Sequence, residues 1–181
     1  MEHRKLLNIE LGRMSAEEYK KRPESGLCVV LDNIRSSHNV GSVFRSADSF
    51  GVDRIVLCGI TSVPPSPEIH KSALGAEFSV AWKYAKDPLQ AVLGLKEHGY
   101  TVLCIEQAVD SVSLEKFIPR LDAKYAIVLG NEVDGVSQKV VDASDIVIEI
   151  PQCGTKHSLN VSVAAGVVLW HIASLRGAFG K

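Results

Sequence analysis

Apolar residues along this chain fall into short continuous runs. Gly26-Leu27-Cys28-Val29-Val30-Leu31, Arg54-Ile55-Val56-Leu57-Cys58, Tyr100-Thr101-Val102-Leu103-Cys104-Ile105, Tyr125-Ala126-Ile127-Val128-Leu129 and Asp145-Ile146-Val147-Ile148-Glu149-Ile150 each read as a strand, and Phe78-Ser79-Val80-Ala81-Trp82 as a sixth. Runs rich in Val and Ile suit strands buried on both faces, as in a parallel sheet. Between them the period changes. Val40, Val43, Phe44, Ala47 and Phe50 share one helical stripe, with Gly51 as the stop. Pro88 opens a helix to about His98, Ser137 caps a short one to Val141, and a last helix runs from near Ser158 to about Arg176. This alternation predicts an α/β domain: a mostly parallel sheet flanked by helices, joined by right-handed crossovers.

The start of the chain differs. Arg13 to Arg22 carries most of a polar helix, with Ser15 and Glu18 at capping-box spacing, and Pro23-Glu24-Ser25-Gly26 breaks it. The expected division is an N-terminal helical arm, residues 1–25, and one domain, residues 26–181. A total of 181 residues suits a single domain of this kind.

In an open parallel sheet, ligands bind at the carboxyl ends of the strands. Three such ends carry unusual polar and glycine content. The first runs from Leu31 to Arg45, where Asn39 reads as a helix N-cap and Arg45 lies six residues further on. Arg45 is either a solvated surface charge or an anchor for a phosphate or a developing oxyanion. The second, Leu129-Gly130-Asn131-Glu132-Val133-Asp134-Gly135, is a strand-to-helix turn bracketed by glycines. The third runs from Ile150 through Gln152, Gly154 and Ser158-Leu159-Asn160 into an Ala/Val-rich helix. There Ser158, Asn160 and Ser162 alternate with apolar residues, which suggests polar groups turned into a site. Neither G-x-G-x-x-G nor a Walker lysine is present, which argues against a dinucleotide-dependent oxidoreductase.

Composition narrows the classes. No run approaches the roughly 20 apolar residues needed to cross a bilayer. Met1-Glu2-His3-Arg4-Lys5 opens without an apolar signal core, so a cytoplasmic protein is expected. Four cysteines contain no C-x-x-C pair, and the six histidines do not join them at metal-ligand spacing. Reduced, buried thiols and no metal are expected. The net charge of −1 lacks the basic excess common in nucleic-acid binders. Contact with RNA would need a local basic patch, for which Lys71, Lys83, Lys86 and Arg35 are candidates.

Taken together, the three stretches resemble the SpoU family, also called the TrmH family, of knotted RNA ribose methyltransferases. Asn39, Gly41 and Arg45 match its N-x-G-x-x-x-R motif. Gly130, Glu132 and Gly135 match G-x-E-x-x-G. Ile150, Pro151, Gly154 and Ser158-Leu159-Asn160-Val161-Ser162-Val163-Ala164 match the third motif. Gln152 stands where the family usually has methionine, and Val133 and Asp134 replace more typical residues beside Glu132. The resemblance implies a C-terminal deep trefoil knot and S-adenosylmethionine as cofactor. It assigns cofactor contacts to Leu129, Gly130, Asn131, Ile150, Gln152, Gly154, Ser158 and Leu159. It assigns catalysis to Arg45, Asn39, Glu132, Ser158 and Asn160, acting on a ribose 2′-hydroxyl of tRNA or rRNA. A catalytically silent RNA-binding member is the alternative. A homodimer is implied too, and the residues agree: from Leu159 to Leu175 the last helix is apolar nearly all round, so it needs cover on every face.

Overall fold

The computed structural model describes residues 3–179. Its sheet comprises β1 (Leu27–Asp32), β2 (Arg54–Cys58), β3 (Ala81–Ala85), β4 (Tyr100–Ile105), β5 (Val112–Ser113), β6 (Lys124–Leu129) and β7 (Ile146–Glu149). The order is β3-β2-β1-β6-β4-β7-β5, and every pairing is parallel. β1 lies near the middle and is buried along its whole length. Its side chains alternate as a pleated strand requires: Leu27, Val29 and Leu31 enter one core, Cys28 and Val30 the other.

The helices are α1 (Ala16–Lys21), α2 (Ser37–Ser49), α3 (Pro67–Ala73), α4 (Ala76–Ser79), α5 (Pro88–Glu97), α6 (Gln138–Ala143) and α7 (Val161–Leu175). α1 to α4 and α7 cover the first core, while α5 and α6 cover the second. The expected three-layer α/β arrangement is therefore present. α2 buries the stripe Val40, Val43, Phe44 and Ala47. Removing a side chain as large and as fully buried as Phe44 typically costs about 3–5 kcal/mol.

Several boundaries differ from the pattern reading, for local reasons. Asn39 is not the N-cap of α2. The Ser36 hydroxyl accepts the Asn39 amide hydrogen bond at 3.3 Å, so the cap lies three residues earlier and the Asn39 side chain is left for tertiary contact. Ser79 and Phe78 belong to a helical turn rather than a strand, and β3 starts only at Ala81. The pattern passes over α3, because only Ile69 and Ala73 of that helix are buried. α7 begins at Val161, since the Asn160 side chain caps it by accepting from the Ser162 amide at 2.9 Å. Residues 151–160 before it form an exposed loop.

α1 is anchored by one buried tyrosine. The Tyr19 hydroxyl donates to the carbonyls of Val52 and Ala47 at 2.8 and 3.2 Å, and burial pushes its pKa up to about 12. Arg22 pairs with Asp53 at 3.1 Å, and Asp53 also accepts from the amides of Ser25 and Gly26. Before α1, Leu6, Leu7 and Ile9 are exposed. Cys28, Cys58 and Cys104 are buried and their thiols are pushed up to about 12 by that burial, whereas Cys153 is exposed. Among the described residues, no helix is long and apolar enough to cross a membrane, and no three His, Cys, Asp or Glu side chains form a metal-binding group.

Candidate active site

The site grows from the carboxyl ends of β1, β4, β6 and β7. Asp32 closes β1 and is only 1% exposed. Its carboxylate accepts from the amide and hydroxyl of Ser137 at 3.0 and 2.8 Å, and from the Asn33 side-chain amide at 2.7 Å. A buried carboxylate is tolerated when both oxygens are bonded in this way. The Ser137 hydroxyl is thereby spent on Asp32 instead of capping α6. Asn33 sits in the left-handed region at φ 56°. Its carbonyl accepts from Asn131 at 2.7 Å, and its side-chain oxygen accepts from the Ile60 amide at 3.1 Å. The loop leaving β1 is thus stapled to the loops leaving β6 and β2.

The turn after β6 is closed by paired backbone hydrogen bonds between Asn131 and Gly135, at 2.9 and 3.0 Å. A methyl group at Gly130 would overlap the Gly135 backbone, and one at Gly135 would overlap the Glu106 carboxylate. The backbone overlap requires glycine at position 130, and the left-handed φ of 70° favours it at position 135. The turn presents Glu132 to the start of α2. Glu132 accepts from the amides of Arg35 (2.9 Å) and Ser36 (3.0 Å) and from the Asn39 side chain (2.9 Å). Partial burial pushes the Glu132 carboxyl up, but these donors outweigh it and hold it below the usual carboxylate range. The Asn39 side-chain oxygen in turn accepts from Asn160 at 3.1 Å, and Asn160 caps α7. One hydrogen-bonded chain, Glu132–Asn39–Asn160, joins the three stretches that the sequence singles out.

Beside this chain lies a cavity of about 800 Å³. Its walls include seven of the eight residues expected to hold the cofactor: Leu129, Gly130, Asn131, Ile150, Gln152, Ser158 and Leu159. Gly154 is the exception; it is exposed and lies off the wall. Of the expected catalytic residues, Glu132, Ser158 and Asn160 line the cavity. Asn39 and Arg45 do not. Arg45 is exposed and opens onto a second cleft of about 350 Å³, with Ser42, Ser46, Ser49, Ser72, Ser162 and Val163. Among the described residues its guanidinium makes no ion pair, so it is available to an anion arriving from outside. Consecutive residues at the start of α7 line the two clefts, Asn160 and Val161 the first and Ser162 and Val163 the second.

Residues outside the expected set also line the cavity. Glu106 and Gln107 follow β4 directly, and the strand-end rule would have found them. The Glu106 carboxylate accepts from the Val136 and Gln107 amides, and the Gln107 side chain donates to the His157 carbonyl at 2.6 Å, fixing the 151–160 loop. Glu149 and Asp134 add two further carboxylates. The wall carries four carboxylates and neither lysine nor arginine. Gly41 explains another motif position: a methyl there would overlap the Ser72 hydroxyl and the Ile69 carbonyl, so α2 and α3 could not approach.

Known proteins resemble this chain in sequence and fold. A TrmH-family protein of Staphylococcus haemolyticus, whose name gives tRNA/rRNA methyltransferase, is 34% identical over 154 residues, which is 84% of this chain and 60% of that one. The chain thus spans less than two thirds of that relative's length. The A. aeolicus TrmH/SpoU tRNA modifying enzyme superposes with a TM-score of 0.79 at 28% identity, over 91% of this chain and 82% of its own. An RNA 2′-O ribose methyltransferase does so at 0.75 and 25%, over 85% and 58%. An AdoMet-bound rRNA methyltransferase from Sinorhizobium meliloti, at 0.76 and 23% over 90% and 60%, shares the fold. The model of the SpoU rRNA methylase family matches residues 26–170. With that match spanning the sheet, both clefts and all three motif stretches, the chain belongs to the SpoU (TrmH) methyltransferase family.

Proposed function

We propose that the protein transfers a methyl group from S-adenosylmethionine to a ribose 2′-hydroxyl of tRNA or rRNA, as a cytoplasmic homodimer and without a metal. The observation that carries this reading is the Asn39 bridge between Glu132 and Asn160, which ties the helix bearing Arg45 to the cavity wall. The cavity suits the cofactor. Its volume lies within the roughly 300–1,000 Å³ of small-molecule sites. Its four carboxylates favour a ligand of net positive charge, and Leu129, Gly130 and Ile150 on its wall offer an apolar surface to a flat ring. When bound, S-adenosylmethionine supplies an electrophilic methyl on a positively charged sulfur.

The chain's own residues then have separable tasks. Arg45 holds the phosphate next to the target ribose and stabilises charge developing on the 2′-oxygen. It does not take the proton itself, because a guanidinium with a pKa above about 12 stays protonated; in this reading the substrate phosphate accepts it. Glu132 fixes the first turn of α2 and so the direction of Arg45. Asn39, Ser158 and Asn160 position the nucleotide at the junction of the two clefts. Alignment of this kind supplies much of the rate when the leaving group is already good.

The dimer is supported by α7. Val163, Val167 and Trp170 form an exposed apolar stripe along it, and Val163 also walls the Arg45 cleft. A partner seated there would cover the stripe and narrow that cleft. The C-terminal trefoil knot, and the division into an arm of residues 1–25 and a catalytic domain of residues 26–181, are part of the same proposal. The test is Arg45→Ala. It is expected to lose nearly all methyl transfer to RNA while calorimetric binding of S-adenosylmethionine stays as in the wild type. Retained turnover would remove Arg45 from the mechanism.

A further inference from the structure

The sheet has a free edge at β3, and that edge is aromatic and basic. Trp82 and Tyr84 are 38% and 51% exposed. They pair in register with Ile55 and Leu57, so both rings stand on the same face of the strand. The Tyr84 hydroxyl donates to the Gly59 carbonyl at 3.0 Å, which fixes its ring at the carboxyl end of β2. The next residue, Ile60, is exposed, and its amide is bonded to Asn33. Asn33 is bonded to Asn131, beside Glu132. A line of hydrogen bonds thus leads along the rim of the sheet from the active-site turn to Tyr84. Arg35, exposed, stands at the beginning of this path, and Lys83 and Lys86 stand at its end.

We infer that this rim is a track for single-stranded RNA: Trp82 and Tyr84 stack the unpaired bases that flank the target ribose, and Arg35 and Lys86 hold their phosphates, while Lys83, paired with Val56, stands on the opposite face of the strand. The inference rests on the reading of the protein as an RNA methyltransferase and names where its substrate lies. Exposed aromatic rings interleaved with cations are the surface that unpaired bases recognise, because every base offers a π-face and every linkage a negative charge. A protein strand added to the same edge is the other occupant to consider. Lysine on an edge strand is a device against such pairing, and Lys83 sits in the middle of β3.

The experiment uses the full chain and two probes, a fluorescein-labelled single-stranded RNA of about 12 nucleotides and unfractionated tRNA. Trp82→Ala and Tyr84→Ala should each weaken RNA binding about tenfold by anisotropy. Trp82→Phe and Tyr84→Phe, which keep a ring, should restore most of it. Lys86→Gln should flatten the dependence of log Kd on log salt by roughly 0.7 for the phosphate that is no longer neutralised, and Lys83→Gln should leave the slope as it is. S-adenosylmethionine affinity and the sedimentation coefficient should not change. Unaltered RNA affinity in the alanine variants would overturn the proposal, as would a changed sedimentation coefficient, which would mark the edge as a protein interface. Methyl transfer by the wild type is scored separately. Transfer with unaltered RNA binding in the edge variants refutes the track alone. Edge-dependent RNA binding without transfer supports the track and refutes the enzymatic reading.

Discussion

Replacing Glu132 by glutamine isolates what its charge does, with little change of shape. The carboxylate accepts three hydrogen bonds: Arg35 on one oxygen, Ser36 and Asn39 on the other. Glutamine keeps one acceptor oxygen. If it takes the place facing Ser36 and Asn39, its amide nitrogen confronts the Arg35 amide, donor against donor. One bond then disappears and two lose their charge assistance. Bonds to a charged group contribute about 1.5 kcal/mol each at the exposed end of their range, and neutral ones roughly half that. The total loss is about 3 kcal/mol, of which water reaching this exposed side chain recovers part, leaving about 2 kcal/mol. For a chain of this length that corresponds to about 4–8 °C in Tm. Differential scanning calorimetry of Glu132→Gln against wild type reads it directly. The effect should also depend on pH. A carboxyl held below its ordinary value of 4.5 stabilises the fold above that pH and loses the contribution as pH falls through its lower, folded-state value. The gap between variant and wild type should therefore be full at neutral pH and close under acid. An unchanged Tm at neutral pH, or a gap that widens in acid, would refute the reasoning.

Further outcomes follow from the same hydrogen bonds and surfaces. Asn160→Ala removes both the α7 cap and the bond to Asn39, so steady-state kinetics should show a fall in kcat, and calorimetry a loss of about 1 kcal/mol in stability. Of the four cysteines only Cys153 is exposed, and it adjoins Gln152 in the cavity wall. Ellman's reagent should therefore modify one thiol quickly in the native protein, and saturating S-adenosylmethionine should slow that reaction. Trp170→Glu places a charge in the apolar stripe of α7. If α7 carries the proposed dimer contact, sedimentation should then show monomers, with the proposed methyl transfer lost in parallel.

Much of the fold was legible because continuous apolar runs have few alternatives to buried parallel strands, as β1, β4 and β6 show. The elements missed were those held by tertiary contact. α3 buries only two side chains, and the turn of α4 replaces the start of an expected strand. In the site, the motif spacings marked Glu132, Asn39 and Asn160, but not that they share one hydrogen-bonded chain. Asn39 and Arg45 look alike as members of one motif. Six residues at about 100° each turn them to different faces of α2, one toward Glu132 and the other onto the second cleft. Asp32 passed unnoticed because an acidic residue at a strand end looks solvated until Ser137, distant in sequence, is brought against it. Gly154 carries a motif position yet lies off the cavity wall that Gln152 and Ser158 of the same exposed loop line.

The central claim is that Arg45 and the cavity behind Glu132 and Asn160 address one ribose oxygen. Its most direct test is the chemical identity of the product. RNA incubated with the protein and methyl-labelled S-adenosylmethionine should, after digestion to nucleosides and mass spectrometry, carry the label as a 2′-O-methyl group, and that signal should vanish with Arg45→Ala. Label found on a base, or an undiminished ribose signal from the variant, would contradict the account.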